Sequence, residues 1–331
     1  MPIRRCISVG FMSHLRSPRG PAAVKIGAAV LMLVLLASPA RAQTAQAFEQ
    51  CGGEEVATPD ARIAACTALI ASGELNPTNL AAAYDNRGVA YAAQSRFDLA
   101  LADYAQATTL NPDDATAFDN QGLAFVSGGQ YDRAIASYDR AIKLNPDRAA
   151  TYDDRGLAYA GKGDYDRAIA DYDQVIARAP SAIAYYDRGN ANAGKQQYDA
   201  AIADYDAALK RNPGSAATFN NRGLAYAAKG QYDRAMADYD QAIKLDANSA
   251  FAFNNRGLAE TAQGHDQRAI ADYDQAIKLD PNYAAAFYNR GLARQHSGDK
   301  AGGTADLAKA RQLDPGIRQM ANAPGDATPR H

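Results

Sequence analysis

AATFNNRGLAYAAKGQYDRAMADYDQAIKLDANS, residues 216–249, runs directly into AFAFNNRGLAETAQGHDQRAIADYDQAIKLDPNY, residues 250–283. The two stretches align without a gap. The same 34-residue unit recurs seven times from Ala81, as 81–114, 115–148, 149–181, 182–215, 216–249, 250–283 and 284–317, with one residue missing from the third copy. A period of this length marks a repeat array, in which one unit cannot bury its own apolar faces and must stack on the next.

Counted from the first residue of each copy, position eight is always glycine (Gly88, Gly122, Gly156, Gly189, Gly223, Gly257, Gly291) and position four is always aromatic. Position twenty is always small, position twenty-four is Tyr in every copy but the last (Leu307), and position thirty-two is Pro in every copy but the fifth (Ala247). Apolar residues recur at three- and four-residue spacings on both sides of a short break, which predicts two amphipathic helices per copy. The break usually carries Gly (Gly129, Gly163, Gly230, Gly264, Gly298), suited to a left-handed residue at a helix end. Gly at position eight and Ala at positions twenty and twenty-seven predict close approach of the two helices, with the rings packed around the contact. Pro then stops the second helix.

This order of residues resembles the tetratricopeptide repeat family over 81–317, with Phe or Tyr where Trp is common at position four. The resemblance implies an all-α fold: an α-solenoid of seven helix pairs forming a right-handed superhelix, first helices lining a concave groove and second helices on the convex face. It also implies a non-enzymatic protein-interaction scaffold.

The ends read differently. Residues 1–42 have no acidic side chain, carry Arg4, Arg5, Arg16, Arg19 and Lys25 ahead of the apolar run from Ile26 to Ala37, and close on Ala40, Arg41 and Ala42. This is the pattern of a signal peptide, and the run is short for a bilayer span. Cleavage after Ala42 removes six basic and no acidic residues, taking the formal charge from −2 to −8. An acidic mature chain argues against nucleic acid and against anionic membrane as partner, and no stable membrane insertion is expected after cleavage. It also leaves Cys51 and Cys66, which in an exported protein read as a structural disulfide. They lie in a capping segment, 43–80, whose stretch from Asp60 to Ser72 reads as a single helix, the second half of a broken repeat. Residues 318–331, with Pro324, Gly325 and Pro329, read as a disordered tail.

Comparison of the copies exposes paired changes. Position seven is Arg in the copies where position twenty-three is Asp (Arg87 with Asp103, Arg155 with Asp171, Arg188 with Asp204, Arg222 with Asp238, Arg256 with Asp272, Arg290 with Asp306), and the second copy replaces both, by Gln121 and Ser137. Joint loss of both charges predicts an ion pair between the two helices of a copy. Copy six places Glu260 and Asp266 at positions eleven and seventeen, and copy seven places Arg294 and Lys300 there, which predicts charge complementarity between neighbouring copies.

The mature chain offers only His265, His296 and His331 as histidines, no glycine-rich phosphate loop and no hydrolase nucleophile motif. No enzyme activity, cofactor or metal site is therefore expected. Neighbouring carboxylates of the repeated Asp-Tyr-Asp diverge on a helix and read as a solvated face rather than a calcium site.

The resemblance places binding on first-helix positions. Position six reads Asn86, Asn120, Asp154, Asp187, Asn221, Asn255, Asn289, and position five contributes Asp85, Asp119, Asp153, Tyr186, Asn220, Asn254 and Tyr288. A row of amides suits the backbone of an extended peptide, and resembles the asparagine ladder of the O-linked N-acetylglucosamine transferases. It reads equally as a residue common in the family that aids solubility. On the first reading the early half of the groove is acidic and the later half neutral, matching a partner segment with a basic part and a neutral part. The partner expected is a protein or peptide, the compartment the periplasm, with secretion as the alternative. The competing function is a structural assembly factor of envelope or polysaccharide-export machinery, docking through its convex face or ends.

Overall fold

The computed structural model describes residues 39–52 and 58–317; most of the expected signal peptide and all of the expected tail lie outside the described residues. Among the described residues there are sixteen α-helices and no strand. Two helices, α1 (Pro39–Gly52) and α2 (Pro59–Ser72), precede the repeats. The copies follow as helix pairs: α3 (Pro77–Ala93) with α4 (Phe97–Leu110), α5 (Ala115–Ser127) with α6 (Tyr131–Leu144), and α7 (Ala149–Gly161) with α8 (Tyr165–Arg178). Then come α9 (Ala182–Gly194) with α10 (Tyr198–Arg211), α11 (Ala216–Ala228) with α12 (Tyr232–Leu245), α13 (Ala250–Ala262) with α14 (Asp266–Leu279), and α15 (Ala284–His296) with α16 (Lys300–Leu313). From α5 onward each first helix starts on the first residue of its copy. These helices form two compact units, α1–α8 ending at Arg178 and α9–α16 following from Ala179.

Local chemistry explains the boundaries. Thr58 and Asn76 accept backbone N–H bonds at the starts of α2 and α3, each followed by Pro at the first helical position. The last residue of a copy caps the next first helix where it has an oxygen to offer, as in Asp114, Ser181, Ser215 and Ser249. Position fifteen turns the chain in the left-handed region in every copy. Five copies hold Gly there, with φ from 68° to 97°, but the first and fourth hold Ser95 (φ 59°) and Gln196 (φ 61°).

The core of each of the first six copies is one tyrosine against one glycine, and the seventh sets Leu307 against Gly291. Tyr104, Tyr138, Tyr172, Tyr205, Tyr239 and Tyr273 are at most 1% exposed. A Cβ placed on Gly223 would lie 2.7 Å from Cε1 of Tyr239, and the same holds in kind for the other five pairs. Fully buried alanines at position twenty, such as Ala201 and Ala235, close the helix pair beside the ring.

The capping segment is larger than the sequence suggested. Rather than one helix, α1 and α2 form a pair joined by the Cys51–Cys66 disulfide, both residues being fully buried. Phe48, Leu69, Ile70 and Leu75 pack around the bridge together with Ala83 of α3. α1 is short of large apolar residues, so its periodicity is faint. It begins at Pro39, upstream of the expected cleavage point.

Candidate functional site

First helices of neighbouring copies touch within each unit, α3 with α5 and α5 with α7, then α9 with α11, α11 with α13 and α13 with α15. Positions five and six fall in those seams. As a result Asn86, Asn120, Asp154, Asp187, Asn221, Asn255, Asn289, Asp119 and Asp153 are between 0% and 7% exposed. Tyr186 and Tyr288 are half-buried.

The amides bond from copy to copy. Asn120 Nδ2 donates to both carboxyl oxygens of Asp85 at 3.1 Å. In the second unit Asn255 Nδ2 donates to Asn220 Oδ1 and Asn289 Nδ2 to Asn254 Oδ1, both at 2.9 Å. Asn221 Nδ2 reaches Tyr186 Oη at 3.1 Å and Asn190 Oδ1 at 2.9 Å. The asparagines Asn120, Asn221, Asn255 and Asn289 at position six are thus satisfied by the preceding copy. The ladder exists, but it is turned into the seams.

The acidic half of the expected groove changes character for the same reason. Asp119, Asp153, Asp154 and Asp187 are buried carboxyls rather than a charged surface, and Asp119 takes Arg148 at 3.0 Å. Burial pushes the Asp85 carboxyl up to about 8, against the opposing bond from Asn120 and with Asp114 adding to the rise. Burial also pushes the Tyr186 hydroxyl up to about 12.

The other face of the first helices carries the arginines. Arg222 Nε and Nη2 donate to the two oxygens of Asp238 at 2.8 and 2.6 Å, and its Nη1 donates to Asp206 of the preceding copy at 2.5 Å. Arg155, Arg256 and Arg290 repeat both contacts, taking Asp139, Asp240 and Asp274 as the second partner. The pairing within a copy agrees with the sequence reading. The second carboxylate, at position twenty-five, belongs to the Asp-Tyr-Asp stretch that the sequence assigns to a solvated face. It is half of a bridge between copies. Its signal was present: copy one has Ala105 at position twenty-five where copy two has Gln121 at position seven. In copy two Ser137 Oγ donates to Gln121 Oε1 at 2.8 Å instead.

Copies six and seven are complementary through other partners than expected. Between the two copies Asp266 takes His296 Nδ1 at 2.5 Å and Arg294 lies 3.9 Å from Asp274, while Glu260 takes His265 Nδ1 at 2.7 Å within copy six and Arg294 donates to Asp306 at 2.9 Å within copy seven. Among the described residues no group of three His, Cys, Asp or Glu side chains is placed to hold a metal ion.

The first helices also expose apolar side chains. One turn before the ladder, position two shows Ile183 at 40% and Phe251 at 39% exposure, and position nine of the last copy shows Leu292 at 38%. Phe251 packs edge-on against Tyr283 at 5.1 Å. A shallow cavity of about 450 Å³ lies beside the turn Gly230–Arg234, lined also by Gln263. No described helix is long and apolar enough to cross a membrane.

Family profiles described as TPR repeat match residues 122–163, 223–264 and 257–298, and profiles described as tetratricopeptide repeat match 81–114, 154–216 and 204–237. No curated protein matches the chain significantly. Among solved structures, a tetratricopeptide repeat protein from Parabacteroides merdae superposes with a TM-score of 0.58 at 20% identity, covering 76% of this chain and 99% of that one. The C-terminal part of a TPR repeat-containing protein from Cytophaga hutchinsonii gives 0.56 at 16% identity, covering 72% and 98%. A chain of the APC/C hetero-tetramer Cut9–Hcn1 gives 0.58 at 15% identity, covering 84% of this chain and 53% of that one. At these identities the likeness is one of fold. Profile matches in nearly every copy, on helices that start in the same register from copy to copy, establish that the chain belongs to the tetratricopeptide repeat family.

Proposed function

We propose that this protein is a non-enzymatic scaffold, periplasmic after removal of its signal peptide, that binds an extended segment of a partner protein along the first helices of its repeats. The observation that carries this reading is the pairing of apolar side chains exposed on α9, α13 and α15 with the buried ladder that runs through α11, α13 and α15. Ile183, Phe251 and Leu292 stand at least 38% exposed, while Asn221, Asn255 and Asn289 fix the spacing of the helices that present them. Half-buried Tyr186 and Tyr288 add ring edges beside them, suited to the apolar side chains of an extended segment. The partner contacts are thus assigned to positions two and nine and to the ring edges of Tyr186 and Tyr288, with the asparagines as positioning residues.

The test is crosslinking of the tagged mature protein in its native envelope, comparing wild type with Ile183→Asp plus Phe251→Asp. Loss of one dominant crosslinked protein from the variant supports the reading. Retention of the same crosslinks removes it, and favours an assembly factor of envelope or polysaccharide-export machinery that docks through second helices or an end. Leu99 and Leu245, 42% and 45% exposed on second helices, give that alternative its footing.

A further inference from the structure

In copies one to six the last residue stands just before the next first helix. Asp114, Ser181, Ser215 and Ser249 use that place to cap the helix with a side-chain oxygen. Arg148 and Tyr283 make no such cap, and Tyr283 packs on Phe251 instead. Arg148 turns its guanidinium to the position-five carboxyl of its own copy, Nη1 standing 3.0 Å from Asp119 Oδ2. The Asp119 side chain is 2% exposed and that of Arg148 31%, so the cation is the solvent-facing member of the pair.

The groups around that pair suit a cation. Asp154 is buried on α7, which touches α5, the helix of Asp119. Tyr138 of α6 is 0% exposed, and its hydroxyl has no hydrogen-bond partner among the described residues. Burial pushes that hydroxyl up, and the carboxyls of Asp154 and then Asp119 push it further, so it lies within reach of both. A buried hydroxyl left without a partner is costly, and a donor entering there removes the cost. In the second unit Tyr205 bonds Asn190 at 2.8 Å and Tyr273 meets Thr261 at 3.1 Å, while position five carries only Tyr and Asn. Among the described residues no third carboxyl or imidazole completes a metal site, and the cation that the fold itself places here is a guanidinium.

We propose that Asp119, Asp154 and Tyr138 form a guanidinium site for an arginine side chain of the partner segment, and that Arg148 fills it as an internal stand-in which the partner displaces. This rests on the first-helix reading above and adds to it an anchor in the first unit. A guanidinium offers five donors in one plane and keeps its charge, so it can serve carboxyls on two sides and the Tyr138 oxygen together. Exchange of one guanidinium for another leaves the carboxyls compensated. An uncharged side chain that displaced Arg148 would instead take a cation from a buried carboxyl. Arg148 also sets a threshold, because a stand-in that holds the site about nine-tenths of the time lowers the apparent affinity for an outside arginine about tenfold.

The probe is a short alanine peptide with one central arginine, and its control carries citrulline, the uncharged isostere, in that place. Both are titrated into the full disulfide-bonded chain. In wild type the arginine peptide should move the side-chain Nε–H signal of Arg148 in NMR spectra, and the citrulline peptide should not. Arg148→Ser, which supplies the cap used at Ser181, Ser215 and Ser249, should bind the arginine peptide about tenfold or more tighter than wild type, with no gain for citrulline. Adding Asp119→Asn, the residue type of Asn220 and Asn254 at position five, should remove that gain. An Arg148 signal that the arginine peptide leaves in place, an Arg148→Ser chain that binds no tighter, or a gain that survives Asp119→Asn would overturn the site. The wild-type spectrum decides alone if Arg148→Ser does not fold. The probe is independent of the envelope crosslinks, so binding as stated alongside crosslinks that persist in the Ile183 and Phe251 variant keeps this site and removes only the partner face of the second unit.

Discussion

At position eight the glycine is demanded by a neighbour and not by its own backbone. Gly223→Ala would drive a methyl group against the Tyr239 ring, at a distance real Cβ atoms do not show, and the ring is enclosed on its other sides. Overpacking of this kind costs about 1–3 kcal/mol, so urea unfolding should show a lower midpoint, with the stability extrapolated to water reduced by that amount. Position fifteen makes the opposite demand. Gln196 sits at φ 61° with a side chain that position does not need. Gln196→Gly should stabilise the fourth copy by about 1 kcal/mol, and an unchanged or lowered melting midpoint would contradict this. Both requirements were readable from the copies themselves, because five of seven hold Gly at fifteen and all hold it at eight. The burial of Asp85 was not readable. An aspartate on a helix face reads as solvated until the next helix is placed over it.

At the scale of helix pairs, the arginine at position seven joins two elements within a copy and a third from the copy before. Arg222 therefore has two carboxylates to lose, one buried at 7% side-chain exposure and one at 53%. Burial pushes the Asp238 carboxyl up and the bonds from Arg222 oppose that, so the two persist as a unit. Arg222→Gln alone should cost about 3 kcal/mol, because Asp238 is left buried without its cation. Arg222→Gln with Asp238→Ser recreates the Gln121–Ser137 pair of copy two and should recover part of that loss. A double-mutant cycle by chemical denaturation is expected to return a coupling of about 1–3 kcal/mol; additive costs would show that the pairing contributes nothing specific. The intra-copy pair was legible from joint loss in copy two. Its extension to position twenty-five went unread because Ala105 belongs to copy one, and the change is seen only when the alignment is read across a copy boundary.

For the molecule as a whole, stability is a sum over copies and seams, so damage at one end need not spread. Reduction of Cys51–Cys66 tests this. The bridge spans a sequence separation of 15 and in the chain-entropy model contributes about 3 kcal/mol, all of it in the pair α1–α2. Circular dichroism should show an early loss of helix on reduction, with the main transition little moved. A single cooperative shift of the entire melt would mean the cap governs every copy. The boundary between the two compact units follows Arg178, at the end of the one copy that lacks a residue. Division of the chain there was not anticipated, because a one-residue deletion leaves the helix pattern of both neighbouring copies intact.

Periodicity, glycine placement and the paired changes among copies are local or repeat linearly, and the amino-acid sequence alone determines from them an all-α repeat array, the register of its helix pairs and the ion pair inside each copy. Whether a polar row faces solvent or the next helix depends on how closely neighbouring first helices approach, a distance written nowhere in a single copy. Only the tertiary structure therefore turned the asparagine ladder into the seams, made Asp85 a buried acid, and left Ile183, Phe251 and Leu292 exposed on the face where a partner is proposed to lie.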